Sequence, residues 1–203
     1  MRIDEITYAS ELGMLDWDKI KNLPWKTFDI IDDTTIYRID VTDLIVFFCH
    51  EKSLLGYVAI QNKPIGNHYP LVRIHNLAKI HGLITIIMLS MIHHGYSLIV
   101  KNSEELTSDG IKWIAKLLTR GGTYGLKISD SKGNEINPND LMREWKLARV
   151  NFMDQNPAVI GPTSIVIENK NLNGKKLDEW KEQSAKDSIL KPNHHFLGDE
   201  TIW

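Results

Sequence analysis

Residues Pro70 to Val100 decide the fold. They read Pro70-Leu71-Val72-Arg73-Ile74-His75-Asn76-Leu77, then a short break with Gly82, then the run Leu83 to Ile92, and finally Tyr96-Ser97-Leu98-Ile99-Val100. The outer segments are extended, and the middle run is apolar on nearly every side of a helix. The unit is therefore a strand, helix, strand whose helix is buried on nearly every side.

Upstream, Asn62 to Tyr69, with Pro64 and Gly66, is a loop that brings the chain back to this unit. Before it, Thr35 to Val41 alternates, Leu44 to Cys49 is a nearly continuous apolar strand, and Leu54 to Ile60 is another. The link His50-Glu51-Lys52-Ser53 is short enough for an antiparallel hairpin. Cys49, His50 and Glu51 suggest a nucleophile, base and orienter, but three consecutive residues at a strand end point different ways and form no relay. The chain starts with an extended piece at Ile3 to Tyr8. Ser10-Glu11 then opens a helix with Leu12, Leu15, Ile20 and Leu23 on one face, stopped by Pro24. Trp17 and Trp25 read as packing residues.

Downstream, Thr107 to Gly110 precedes a helix carrying Ile111, Ile114, Ala115 and Leu118. Gly121-Gly122 ends it, and Tyr124 to Ile128 is a strand. Asn137 to Asp140 starts a helix with Leu141, Trp145 and Ala148 on one side. Val159 to Ile167, broken by Gly161-Pro162, is a strand expected at a sheet edge on account of the proline. Asn171 to Gly174 is a linker, Lys176 to Leu190 an amphipathic helix, and the tail ends in Phe196-Leu197 and Ile202-Trp203. Apolar residues so late in a polar segment suggest docking, either onto the chain's own body or onto a protein partner or second copy. The expected class is α+β: a mixed, mostly antiparallel sheet flanked by helices, with a C-terminal helical extension. The expected division is a core over 1–130, a helix-strand extension over 131–170, and a helix with an aromatic-ended tail over 171–203.

Composition narrows the function classes. The chain has 203 residues, enough for one sizeable core. Its longest apolar run is about half the ~20 residues of a spanning helix, so no membrane span is expected. Met1 to Glu5 is charged at once and no apolar stretch follows, which predicts no secretory leader. One cysteine, Cys49, gives no disulfide and no thiolate zinc site, as in a cytoplasmic protein. A net charge of -2 with mixed signs argues against a general nucleic-acid binder. The pairs His93-His94 and His194-His195 lack further ligands at metal-site spacing, so no metal site is expected.

The order of elements over Met1 to Ile128 resembles the GNAT N-acetyltransferase fold. In that family a turn with the pattern Gln/Arg-x-x-Gly-x-Gly/Ala holds the coenzyme A pyrophosphate on its backbone amides, as the positive end of a helix can. The matching residues are Lys79, Ile80, His81, Gly82, Leu83 and Ile84. The basic first position and the first glycine are kept in type. The second glycine is Ile84, whose branched side chain is expected to block close approach of phosphate.

The family's other signatures are an Asn, an alanine, a Tyr general acid and Gly-Phe along the last conserved helix and strand. Aligned on Gly122, they fall on Ile111, Ile114, Leu118 and Thr123, and only the glycine agrees. What the resemblance leaves as acid–base candidates is His75, an imidazole on the central strand, and Tyr124. The simpler reading of His75 is a histidine hydrogen-bonded inside a sheet. The resemblance implies two functions: a non-catalytic or weakly catalytic binding or assembly protein, which the missing signatures favour, or a divergent N-acyltransferase using acetyl-coenzyme A. Degenerate members resemble bacteriophage accessory and virion-associated proteins, which makes a virion a second expected location. An unrelated α+β fold is the third reading.

Overall fold

The computed structural model describes residues 17–31, 34–80, 82–101, 114, 117, 124–130, 132–137 and 164–179. In chain order the elements are α1 (Trp17–Ile20), β1 (Lys26–Ile31), β2 (Thr34–Val41), β3 (Leu44–His50), β4 (Leu54–Gln61), β5 (His68–His75), α2 (Leu83–His93), β6 (Ser97–Lys101), β7 (Leu126–Asp130) and β8 (Ser164–Asn169). The strands form one eight-stranded sheet in the order β1-β2-β3-β4-β5-β6-β8-β7. Neighbours are antiparallel except β5 and β6. The chain is thus an α+β protein with a mostly antiparallel sheet.

Alternation along β3 divides the core between the two sheet faces. Ile45, Phe47 and Cys49 join the core on the side of α2, whereas Val46 and Phe48 join Ile20 and Tyr57 on the other. A strand covered on both faces needs no polar side, which explains the nearly continuous apolar run. Trp17 and Trp25 close the second face, their rings 6.3 and 6.0 Å from that of Phe48. α2 lies against β4 and β8.

The structure departs from the sequence reading in two places. β1 was not expected. It is an edge strand whose period breaks where Phe28 bulges between Thr27 and Asp29, so alternation does not reveal it. The strand expected at an edge is β8, and it lies inside the sheet between β6 and β7. Its ladder begins at Ser164, beyond the proline, so no missing N–H interrupts it. β8 falls within the span 131–170 and pairs with β6 and β7. The expected strand at Ile3 to Tyr8, the helix at Leu141 to Ala148 and the tail lie outside the described residues, as does most of the helix after Gly110. Of the last helix, 174–179 is described, and Leu172 and Leu177 are buried in the core on the α2 side.

Cys49 faces that core, and burial pushes its thiol up to about 12 from an ordinary 9.0. The thiolate is the reactive form, so an aromatic disulfide reagent at pH 8 is expected to modify the folded chain about a thousandfold more slowly than a free cysteine. Modification that keeps pace with the denatured chain would contradict this burial. Because the folded thiol resists ionising, its contribution to stability is unchanged below pH 9 and falls as pH rises from 9 toward about 12.

Candidate anion-binding site at the start of the buried helix

β5 changes neighbours along its length. Its first part, His68 to Pro70, pairs with Ser97 to Ile99 of β6. Its second part, Leu71 to His75, pairs with β4, with Val72 bulged out of register. Pro70 has no N–H to carry the parallel ladder further. Beyond it β6 continues with β8 as far as Lys101, so the two parallel strands part. In open α/β sheets ligands bind beyond the carboxyl ends of the strands at a change of neighbour of this kind. β5 runs past this point into the turn that starts α2.

The turn is held from within. The buried Asn76 side chain accepts the Ile80 N–H at 3.1 Å and donates to the Ile80 carbonyl at 2.9 Å. The Ala78 N–H donates to the Leu55 carbonyl on β4 at 2.8 Å. Lys79 takes the left-handed conformation at φ 54° and Gly82 at φ 81°. At Gly82, the N-cap of α2, glycine meets no Cβ penalty. No side chain caps the helix, and its first turn carries no acidic residue. The positive end of an 11-residue helix is therefore left without a compensating group from its own first turn.

Ile84 does not obstruct this end, contrary to the sequence expectation. It is 3% exposed, and its Cδ1 lies 3.4 Å from where a Cβ on Gly56 would stand. The branched side chain is turned onto β4, in space that Gly56 leaves open. Leu83 is buried beside it. The turn also divides its donors: the Lys79 and Ile80 N–H groups bond to Asn76, and the Leu83 N–H reaches the Ile80 carbonyl at 3.3 Å. Among the described residues no carbonyl accepts from the N–H groups of Gly82, Ile84 and Thr85, and through these this end could hold an anion. Lys79 and Ile80 are exposed beside them, and His81 lies outside the described residues.

The two acid–base candidates are not brought together. His75 is 7% exposed, and it pairs across the ladder with Tyr57, the rings 5.8 Å apart, on the sheet face away from α2. Tyr124 is half-buried against the core on the α2 side, just before β7. β6 and β8 lie between β5 and β7. The register puts Tyr124 at the opposite end of the sheet from His75, on the order of 25 Å along the strand direction.

Cys49 and His50 lie on opposite faces, and the His50 Nδ1 donates to the Glu51 backbone carbonyl at 2.9 Å. Among the described residues no group of three or more His, Cys, Asp or Glu is placed to hold a metal ion. His94 pairs instead with Asp29 at 3.2 Å. No described helix is long and apolar enough to cross a membrane. Sequence reasoning missed Asn76 and Gly56. An Asn closing a strand four residues before another turn residue is a usable signal for the first, whereas Gly56 is informative only once its neighbours across the fold are known. No family model, curated protein or solved structure matches the chain.

Proposed function

We propose that this chain is a divergent GNAT-like protein that binds an acyl-coenzyme A at the start of α2 and turns it over weakly or not at all. The observation that carries the proposal is the open end of α2: a glycine cap in the left-handed conformation, no capping side chain, and Leu83 and Ile84 both turned into the core. The position of the single parallel step in the sheet, just before this turn, supports the same reading. The Gly82, Ile84 and Thr85 N–H groups hold the pyrophosphate, and the Lys79 ammonium adds charge. When bound, the cofactor supplies a thioester whose acyl group an amine can accept. Slow or absent turnover follows from the separation of His75 and Tyr124, which cannot serve one reacting centre.

Acetyl-coenzyme A at a hundredfold excess over its dissociation constant is expected to stabilise the fold by ~2.7 kcal/mol, read as a rise in thermal midpoint. No rise at millimolar ligand would sink the proposal. Rapid acetylation of simple amines by the bound complex would instead favour the N-acyltransferase reading, with a base other than the two candidates. Partner capture or self-association through the C-terminal segment, including any role in a virion, rests on residues beyond 179. These lie outside the described residues.

A further inference from the structure

A second cluster lies at the other end of the parallel junction, on the sheet face turned away from α2. His68 and Ser97 are the first pair of the β5–β6 ladder. The Ser97 Oγ stands 2.7 Å from the His68 Nδ1. Glu168 on β8 places Oε1 at 3.4 Å from that hydroxyl and 3.9 Å from the same ring nitrogen. Lys127 on β7 faces Glu168 across the ladder, Nζ to Oε2 3.7 Å. Their neighbours Leu98, Ile128 and Ile167 all point into the core on the α2 side. The four polar residues therefore share the opposite face, with His68, Ser97 and Glu168 half-buried and Lys127 exposed.

We propose that Ser97 and His68 form a nucleophile–base pair that accepts an acyl or phosphonyl group from small activated esters. A hydroxyl needs a base within about 2.6–3.2 Å to act as a nucleophile, and here 2.7 Å separates them. With the ring proton on Nε2, the Ser97 O–H donates to Nδ1. In acylation the Oγ forms a bond to the carbonyl carbon as its proton passes to Nδ1. The bond to the leaving oxygen then breaks, and that oxygen departs with the proton from Nδ1. Water attacks the acyl-serine in the second half, giving its proton to Nδ1, and Ser97 regains a proton as the carboxylic acid leaves. Glu168 stabilises the imidazolium formed in both halves, and Lys127 on the next strand partly offsets the charge of Glu168. The competing arrangement has the proton on Nδ1. The imidazole then donates to Ser97 and Ser97 to Glu168, which is a structural bridge with no base in it.

The arrangement stands apart from the proposed cofactor site, and its test does not depend on that proposal. The full chain is incubated with an alkyl fluorophosphonate, which bonds phosphorus to an activated serine oxygen with loss of fluoride and transfer of the hydroxyl proton to the base. The expected result is one adduct per chain on Ser97, absent in Ser97→Ala. Labelling should be slower by roughly a hundredfold in His68→Gln, the lower range of a general base's contribution. Glu168→Gln should fall between that variant and the unaltered chain. Circular dichroism and the thermal midpoint establish that each variant is folded. No adduct on the unaltered chain, an adduct on another residue, or a His68→Gln rate equal to that of the unaltered chain would each overturn the pair and leave the structural bridge.

Discussion

Replacing Gly125 by alanine is expected to cost about 2–5 kcal/mol of folding stability, the sum of a conformational and a packing effect. Gly125 sits at φ 80°, a left-handed conformation that costs an L-residue about 1–2 kcal/mol. A Cβ there would also run into the Asn171 side-chain oxygen and stand 2.7 Å from both the Asn171 carbonyl carbon and the Leu172 nitrogen. The side-chain oxygen can swing aside, but the backbone cannot. It is held because the Gly125 carbonyl accepts the N–H groups of Lys170 and Asn171, each at 2.9 Å. Leu172 is buried one residue further on. Overpacking of this kind adds about 1–3 kcal/mol. Urea titration should show a lower midpoint with an unchanged slope. A loss under about 1 kcal/mol would mean that the β7–β8 end is not closed in this way.

Gly56→Val is the second large effect, expected at about 2–3 kcal/mol, for reasons of space rather than conformation. A Cβ on Gly56 would stand 2.9 Å from the His75 carbonyl oxygen, 3.0 Å from the Leu83 Cδ2 and 3.4 Å from the Ile84 Cδ1. The leucine end can rotate. The carbonyl belongs to β5, which is paired with β4 at this level, and it cannot move without disturbing the ladder. The added methyl groups then press on Leu83 and Ile84, the two residues that seat the start of α2. Gly56→Val should therefore weaken acetyl-coenzyme A binding as well as stability, although Gly56 lies beneath the proposed site and not in it. A variant as stable as the parent would contradict the seating of Ile84 against β4.

These two glycines also show where the sequence stops being informative. The strand, helix, strand unit was legible because apolar periodicity is a local property, and so were β2, β3 and β4. β1 was not, because its bulge at Phe28 breaks the period and its Asp29 faces a helix that is remote in sequence. Asp29 accepts the hydrogen bond of Ser90, a wholly buried hydroxyl on α2. β8 was legible as a strand but not as an interior one, since the position of a strand in a sheet depends on pairings made across the fold. The turn at Lys79 to Ile84 could be located from its glycine and its basic residue. The direction of the Ile84 side chain could not, because it is decided by the absence of a side chain on Gly56, far back in the chain. The Ser97, His68 and Glu168 cluster joins residues 29 and 71 positions apart, beyond any motif spacing.

The central claim is that the start of α2 holds the pyrophosphate of an acyl-coenzyme A. Amide chemical shifts recorded while acetyl-coenzyme A is titrated into the isotopically labelled chain test it most directly. The Gly82, Ile84 and Thr85 amides should move together and saturate, with the Lys79 and Ile80 amides moving less because Asn76 already engages them. Shifts absent at millimolar ligand, or confined to residues remote from this turn, would contradict it.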